Sequence, residues 1–211
     1  MRDPLGLLAI LAHPDDESFG IGGTLAVYAR KGVHVHLICA TRGEAGEIAD
    51  SYLEGFDSIA DRRASELDCA ATLLGLRSYY FLGYRDSGMG GSADNQHPDA
   101  LIRAPQEEVT RRIVTYIRKL RPQVIITFDP IGGYMHPDHI AIQRSATRAF
   151  HLAGDPDFYD MEDGPPFQPQ KLYYAVFPKG AMRLAARLMP LIGLDPRKFG
   201  KNGDIDILTL A

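Results

Sequence analysis

The chain has 211 residues, 45% hydrophobic and 24% charged, with a formal net charge of −4 and a pI near 6.0. That balance supports an ordinary globular core and gives no broad basic field, which argues against extended nucleic-acid binding. The apolar run Leu5 to Leu11 is too short for a membrane span and lacks the flanks of a signal peptide, so a cytoplasmic setting without membrane attachment is expected.

Leu7 to Leu11 is continuously apolar, as in a strand covered on both faces of a parallel sheet, and it reads as the first, central strand. Ala12-His13-Pro14-Asp15-Asp16-Glu17 follows at once. Gly20, Gly22 and Gly23 then lead into a helix ending near Lys31-Gly32. They are not a dinucleotide fingerprint, because HPDDES occupies the turn where its first glycine belongs. Val33 to Ala40 predicts a second strand, with His34 and His36 on one face inside it and therefore read as structural. Cys39 and Cys69 make no metal or redox motif.

Thr41 to Glu47 leaves the second strand at the end where a site would lie, with glycines for turning and carboxylates for polar contact. Ile59 to Leu74 has helical spacing and Gly75 closes it; Arg62, Arg63, Glu66 and Asp68 form its polar face. Ser78 to Leu82 predicts a third strand. The loop from Gly83 past His97-Pro98-Asp99 runs for roughly twenty residues, a length that signals binding or mobility and makes Asp86 a candidate substrate contact.

Pro105 opens a helix with Val109, Ile113, Ile117 and Leu120 on one stripe. Val124 to Phe128 is a second fully buried type of strand, and Asp129 to Met135 turns from it into His136-Pro137-Asp138-His139, where another helix starts. After a Pro- and Gly-rich loop over Gly154 to Pro169 come a strand at Leu172 to Phe177 and a helix at Ala181 to Leu191. This alternation predicts an α/β, Rossmann-like doubly wound fold: a mainly parallel sheet with helices on both faces, in one domain over 1–211.

Two strand ends thus carry His-Pro-Asp. Proline is pre-shaped for the first helical position, so each histidine falls at or near an N-cap and shares a face with the residue three further on. His13 is thereby paired with Asp16, and His136 with His139. If the corners meet, His13, Asp16 and His139 form the ligand set of a catalytic zinc with one position left for water. Zinc can lower the pKa of such a water from about 15.7 to about 7. Asp15, rotated about 100° around a helix from Asp16, would face that position as general base. His136 would stabilise an oxyanion as an imidazolium, with Asp138 orienting it and raising its pKa. A lone aspartate in a first helical turn is worth only about 0.3–1 kcal/mol as a cap. Two such corners, each after an apolar strand, exceed capping.

AHPDDE at 12 to 17, Arg63-x-x-Glu66-Leu67 with Leu74-Gly75, and HPDH at 136 to 139 make the chain resemble the LmbE-like, or PIG-L, family of zinc-dependent N-acetylglucosaminyl deacetylases. Arg85 to Met89 and Asp129-Pro130-x-Gly132-Gly133-Tyr134-x-His136 are similar to its mycothiol deacetylase and mycothiol-conjugate amidase branch. The resemblance implies one Zn2+ per chain on His13, Asp16 and His139, with Fe2+ able to replace it, Asp15 as base and His136 at the oxyanion. It further implies sugar contacts at Arg63 and Asp86 and a tyrosine, Tyr134, near the reacting carbonyl. Family members continue past the segment matching Asp204 to Leu208 into a further helix, so a C-terminal segment is expected beyond Ala211.

The expected function is removal of an acetyl group from a small N-acetylated amino sugar by metal-activated water; a homo-oligomer is compatible with it. The alternatives are an amidase cleaving a larger acyl group from a thiol-sugar conjugate, and a metal-loaded binding protein without turnover. A binder needs only ligands, not Asp15 and His136. A two-metal phosphoesterase would need more carboxylates.

Overall fold

The computed structural model describes residues 4–158, 164–176, 179–198 and 206–210. In chain order the elements are β1 (Gly6–Leu11), α1 (Asp16–Phe19), α2 (Gly22–Arg30), β2 (His34–Cys39), α3 (Ile59–Leu74), β3 (Ser78–Phe81), α4 (Gln106–Leu120), β4 (Val124–Phe128), a kinked turn α5 (Gly132–Met135), α6 (Pro137–Leu152), β5 (Lys171–Ala175), α7 (Lys179–Leu188) and α8 (Ile207–Leu210). The five strands form one parallel sheet in the order β3-β2-β1-β4-β5. Every residue of β1 is buried, which is why its apolar run has no alternation.

Strand order reverses between β1 and β4. Right-handed crossovers running outward in the two directions place α2 and α3 on one face and α4 and α6 on the other. The core fills the space between: Leu8, Ile10, Leu37, Ile38 and Ile125 from the sheet meet Leu25, Leu67, Ile113, Ile117 and Ile142 from the helices. Such a reversal opens a crevice at the carboxyl ends of the strands. Thr127 Oγ1 donates to the Ile10 carbonyl at 2.8 Å and ties the two inner strand ends together just below it.

Most boundaries agree with the sequence reading within two residues, and α3 and β4 agree at both ends. The first corner differs. His136 is the N-cap of α6 with Pro137 at N1, as expected, but after His13 the chain does not enter a helix at Pro14. Asp15 takes φ 125°, ψ −31°, and only then does the single turn α1 begin. The long loop after β3 is not slack. Arg85 pairs with Ala100 in a β-bridge and with Asp94 in an ion pair of 2.7 Å, while Asn95 Nδ2 donates to the Ser87 and Met89 carbonyls.

The helix expected over Ala181 to Leu191 starts at Lys179 and gives way to a 3-10 turn at Met189. Its Leu184 and Leu188 are exposed, while Ala186 and Met189 join Ile207 in a small separate cluster against which Met182 packs. Among the described residues no helix is long and apolar enough to cross a membrane.

Candidate functional site

The two corners meet at the crevice. Asp16 Oδ2 accepts the His13 backbone N–H at 2.8 Å, which folds the carboxylate back over the histidine. His13 Nδ1 lies 3.5 Å from Asp16 Oδ2, His139 Nε2 lies 3.3 Å from Asp16 Oδ1, and the two ring nitrogens are 3.3 Å apart. Bonds of about 2.0–2.1 Å to a tetrahedral metal put neighbouring donors about 3.3–3.4 Å apart. The observed donor set therefore fits a single divalent ion.

Each histidine is held from behind. His139 Nδ1 donates to the Gly132 carbonyl at 3.2 Å, and its ring stacks on Phe128 with centroids 3.8 Å apart and planes 8° apart. His13 Nε2 lies 3.2 Å from Asp138 Oδ2 and 3.4 Å from Asp86 Oδ1. Partners of this kind fix which ring nitrogen stays free for a metal. The cluster also favours positive charge. Burial pushes His13 down, yet its bonds to Asp138, Asp16 and Asp86 outweigh burial and raise its pKa well above the usual value. Burial likewise pushes Asp16 up, and His13 and His139 outweigh it, holding this carboxyl far below its ordinary range.

Asp138 departs from the reading of the sequence. Its carboxylate serves His13 and accepts Ser87 N–H at 2.9 Å, with Oδ1 lacking a partner among the described residues. What Asp138 offers His136 is its backbone N–H, which donates to His136 Nδ1 at 3.2 Å as the helix cap. The proton of His136 therefore sits on Nε2. Nor is His136 raised: burial first, then His13 and His139, bring its pKa down to about 3, so it is a neutral imidazole here. A ring nitrogen of His136 lies within 4.8 Å of those of His13 and His139.

Asp15 stands apart from Asp16 because of the backbone at φ 125°, not because of helical rotation. Its carboxyl is pushed up to about 6 by burial and by Asp16, against the opposing pull of Arg63. Arg63 Nη2 donates to Asp15 Oδ2 at 2.7 Å and to the Pro14 carbonyl at 2.6 Å, and Nη1 to the Gly43 carbonyl at 3.3 Å. Asp86 is buried, accepting Gly88 N–H at 2.8 Å and facing His13, so it backs a ligand rather than opening onto solvent. Tyr134 packs its ring edge-on against His139, centroids 5.0 Å apart, and burial raises its hydroxyl pKa to about 12.

Several participants escaped sequence reasoning: the Gly132 carbonyl, Glu44 holding the Asp86 N–H at 2.9 Å, and Glu17 beneath Asp15. Glycines and carboxylates in the right loops were the available signal. A cleft of about 590 Å³ opens beside the triad, lined by Asp15, Asp16, Tyr134 and His139 on one side and by Phe19, Ile21 and Val176 among others.

The family model for PIG-L, GlcNAc-PI de-N-acetylase, matches residues 8–150, more than half of the chain. The chain belongs to the PIG-L family. This PIG-L chain is 42% identical over 198 residues to 1D-myo-inositol 2-acetamido-2-deoxy-alpha-D-glucopyranoside deacetylase 2 of Catenulispora acidiphila, covering 89% of itself and 65% of that relative. It is 40% identical over 210 residues to the deacetylase of the same description from Streptomyces avermitilis, covering 95% of itself and 70% of the relative. Among solved structures it resembles N,N'-diacetylchitobiose deacetylase from Pyrococcus horikoshii, with a TM-score of 0.63 and 29% identity over 79% of this chain and 58% of that one. It thus spans less than two thirds of the first of these relatives and of the archaeal structure.

Proposed function

We propose that this PIG-L chain is a zinc-dependent deacetylase that removes acetate from a small N-acetylglucosamine-type sugar, and that 1–211 acts as a single deacetylase domain, most simply in the cytoplasm. The observation that carries the reading is the convergence of His13, Asp16 and His139 at separations of 3.3–3.5 Å, with the Asp15 carboxyl beside them. The relatives' action on 2-acetamido-2-deoxy-glucopyranosides supports the substrate class.

A divalent ion held by His13, Asp16 and His139 would polarise the amide carbonyl and make a water molecule more acidic. Asp15 takes a proton from the attacking water, for which a pKa of about 6 suits neutral pH, and returns it to the departing amine. His136, neutral and protonated on Nε2, donates to the oxyanion; a neutral imidazole suffices for that. Tyr134, un-ionised, closes the side of the cleft near the carbonyl. Arg63 orients Asp15 and lies where a sugar hydroxyl could reach it. Asp138 and Asp86 keep the Nδ1 of His13 free for the ion.

One observation favours a second reading. The cleft is larger than an acetyl group requires and Phe19, Ile21, Phe128 and Val176 line it, which suits a larger acyl group. An amine-release assay with 2-acetamido-2-deoxy-glucosyl-inositol and an N-acyl series of increasing length decides between the two. Release from the acetamide that stops with a chelator supports the deacetylase; preference for longer acyl chains supports the amidase; no release from any amide refutes both.

A further inference from the structure

Asp15 is the only non-glycine residue among those described whose φ lies beyond 100°, a region L side chains rarely adopt. Strain of this kind costs on the order of 1–3 kcal/mol and persists only where the surroundings fix the backbone. All three polar groups of this residue are held. Its carbonyl accepts the N–H groups of Ser18 and Phe19 at 2.9 and 3.1 Å, its carboxylate is held by Arg63, and its own N–H donates to Glu17 Oε2 at 3.0 Å.

Glu17 is unusual in its own right. It is 1% exposed; its Oε2 accepts that N–H, and its Oε1 accepts the Ser18 hydroxyl at 2.6 Å. A buried carboxylate answered by an amide and a hydroxyl is costly to keep. Glu17 does not line the cleft beside the triad; it borders a smaller recess behind Asp15, together with Arg63, Glu66 and Leu67.

We infer that Glu17 is a positioning residue, which holds the strained peptide at Asp15 so that the carboxyl faces the reacting amide instead of relaxing into a continuous helix. The inference rests on Asp15 being the base. Relaxation to helical φ would swing the carboxyl by far more than 1 Å, and misplacement of that size costs about 100-fold in rate.

Glu17→Leu removes the acceptor, Glu17→Gln keeps one acceptor oxygen, and Ser18→Ala frees the other end of the carboxylate. In Glu17→Leu, kcat should fall about 30–100-fold with KM and bound metal little changed, while Glu17→Gln stays within about threefold of the parent. Hydrogen exchange in the metal-free proteins gives a readout apart from turnover: the Asp15 amide should exchange faster in Glu17→Leu and in Ser18→Ala, and not in Glu17→Gln. If Glu17→Leu does not fold, the contrast between Ser18→Ala and Glu17→Gln carries the test. Unchanged exchange in both Leu and Ala variants, or a loss of kcat in Glu17→Gln as deep as in Glu17→Leu, overturns the inference. A parent enzyme that releases no amine would instead refute the functional reading and leave the exchange result to stand by itself.

Discussion

Asp15 is where single-residue effects are sharpest. The proposed base must be ionised, and its pKa of about 6 places the acid limb of the kcat/KM profile near pH 6. Arg63, ahead of His13, pulls this value down, so Arg63→Met should move the limb to higher pH; an unmoved limb would detach Arg63 from the base. The same shift has a stability sign. A carboxyl whose folded pKa exceeds its unfolded value near 3.8 contributes stability below that pH and loses it as pH rises toward 6. The melting temperature of Asp15→Asn should therefore gain on the parent's between pH 4 and pH 7, while turnover is lost. Asp138 makes a separate case. Because its carboxylate serves His13, Asp138→Asn should weaken metal affinity by about 10–100-fold, the usual cost of losing a partner behind a ligand. Spacing along the chain could pair His13 with Asp16, but it could not show which histidine Asp138 faces. That is settled by Ser87 N–H, from a loop about fifty residues away, pinning the carboxylate.

At the level of elements, the turn between β4 and α6 aims His139. Gly132 has φ 69°, and a Cβ there would lie 2.7 Å from Ile140 Cγ1 and 3.1 Å from His139 Cβ. Gly132→Ala should accordingly raise the metal dissociation constant without replacing any ligand, measurable by competition with a chromogenic chelator; unchanged affinity would show that the turn has slack. Gly43 has the corresponding task for Arg63, since a Cβ on it would fall inside the guanidinium. The second corner was legible because Pro137 at N1 and His136 at the N-cap obey local rules. The first was not, because the geometry at Asp15 is imposed by Glu17 and Arg63 against the helical preference of its neighbours. The loop after β3 hid its order for a similar reason: Asn95 and the Arg85–Asp94 pair tie it down through side chains that simple turn rules do not register.

For the molecule as a whole, the decisive feature is that the proposed ligands come from its two halves, His13 and Asp16 after the central strand and His139 some 120 residues later. The parallel sheet was readable from continuous apolar runs, and so was the central place of β1. The meeting of the corners follows from the reversal of strand order between β1 and β4, a property of the assembled sheet. An ion shared by both halves should stabilise the fold globally. At 100 times its dissociation constant an ion adds about 2.7 kcal/mol, or about 5–10 °C in melting temperature for a chain of this size. A chelator should reverse the gain, and His139→Ala should never show it.

The most direct test of the shared site is metal content, measured by elemental analysis on the parent, Asp15→Ala and His139→Ala after loading with zinc and gel filtration. One ion per chain is expected in the parent and in Asp15→Ala, with almost none in His139→Ala. Full occupancy in His139→Ala, or loss of the ion in Asp15→Ala, would contradict a single ion gripped by His13, Asp16 and His139 with Asp15 free to act on water.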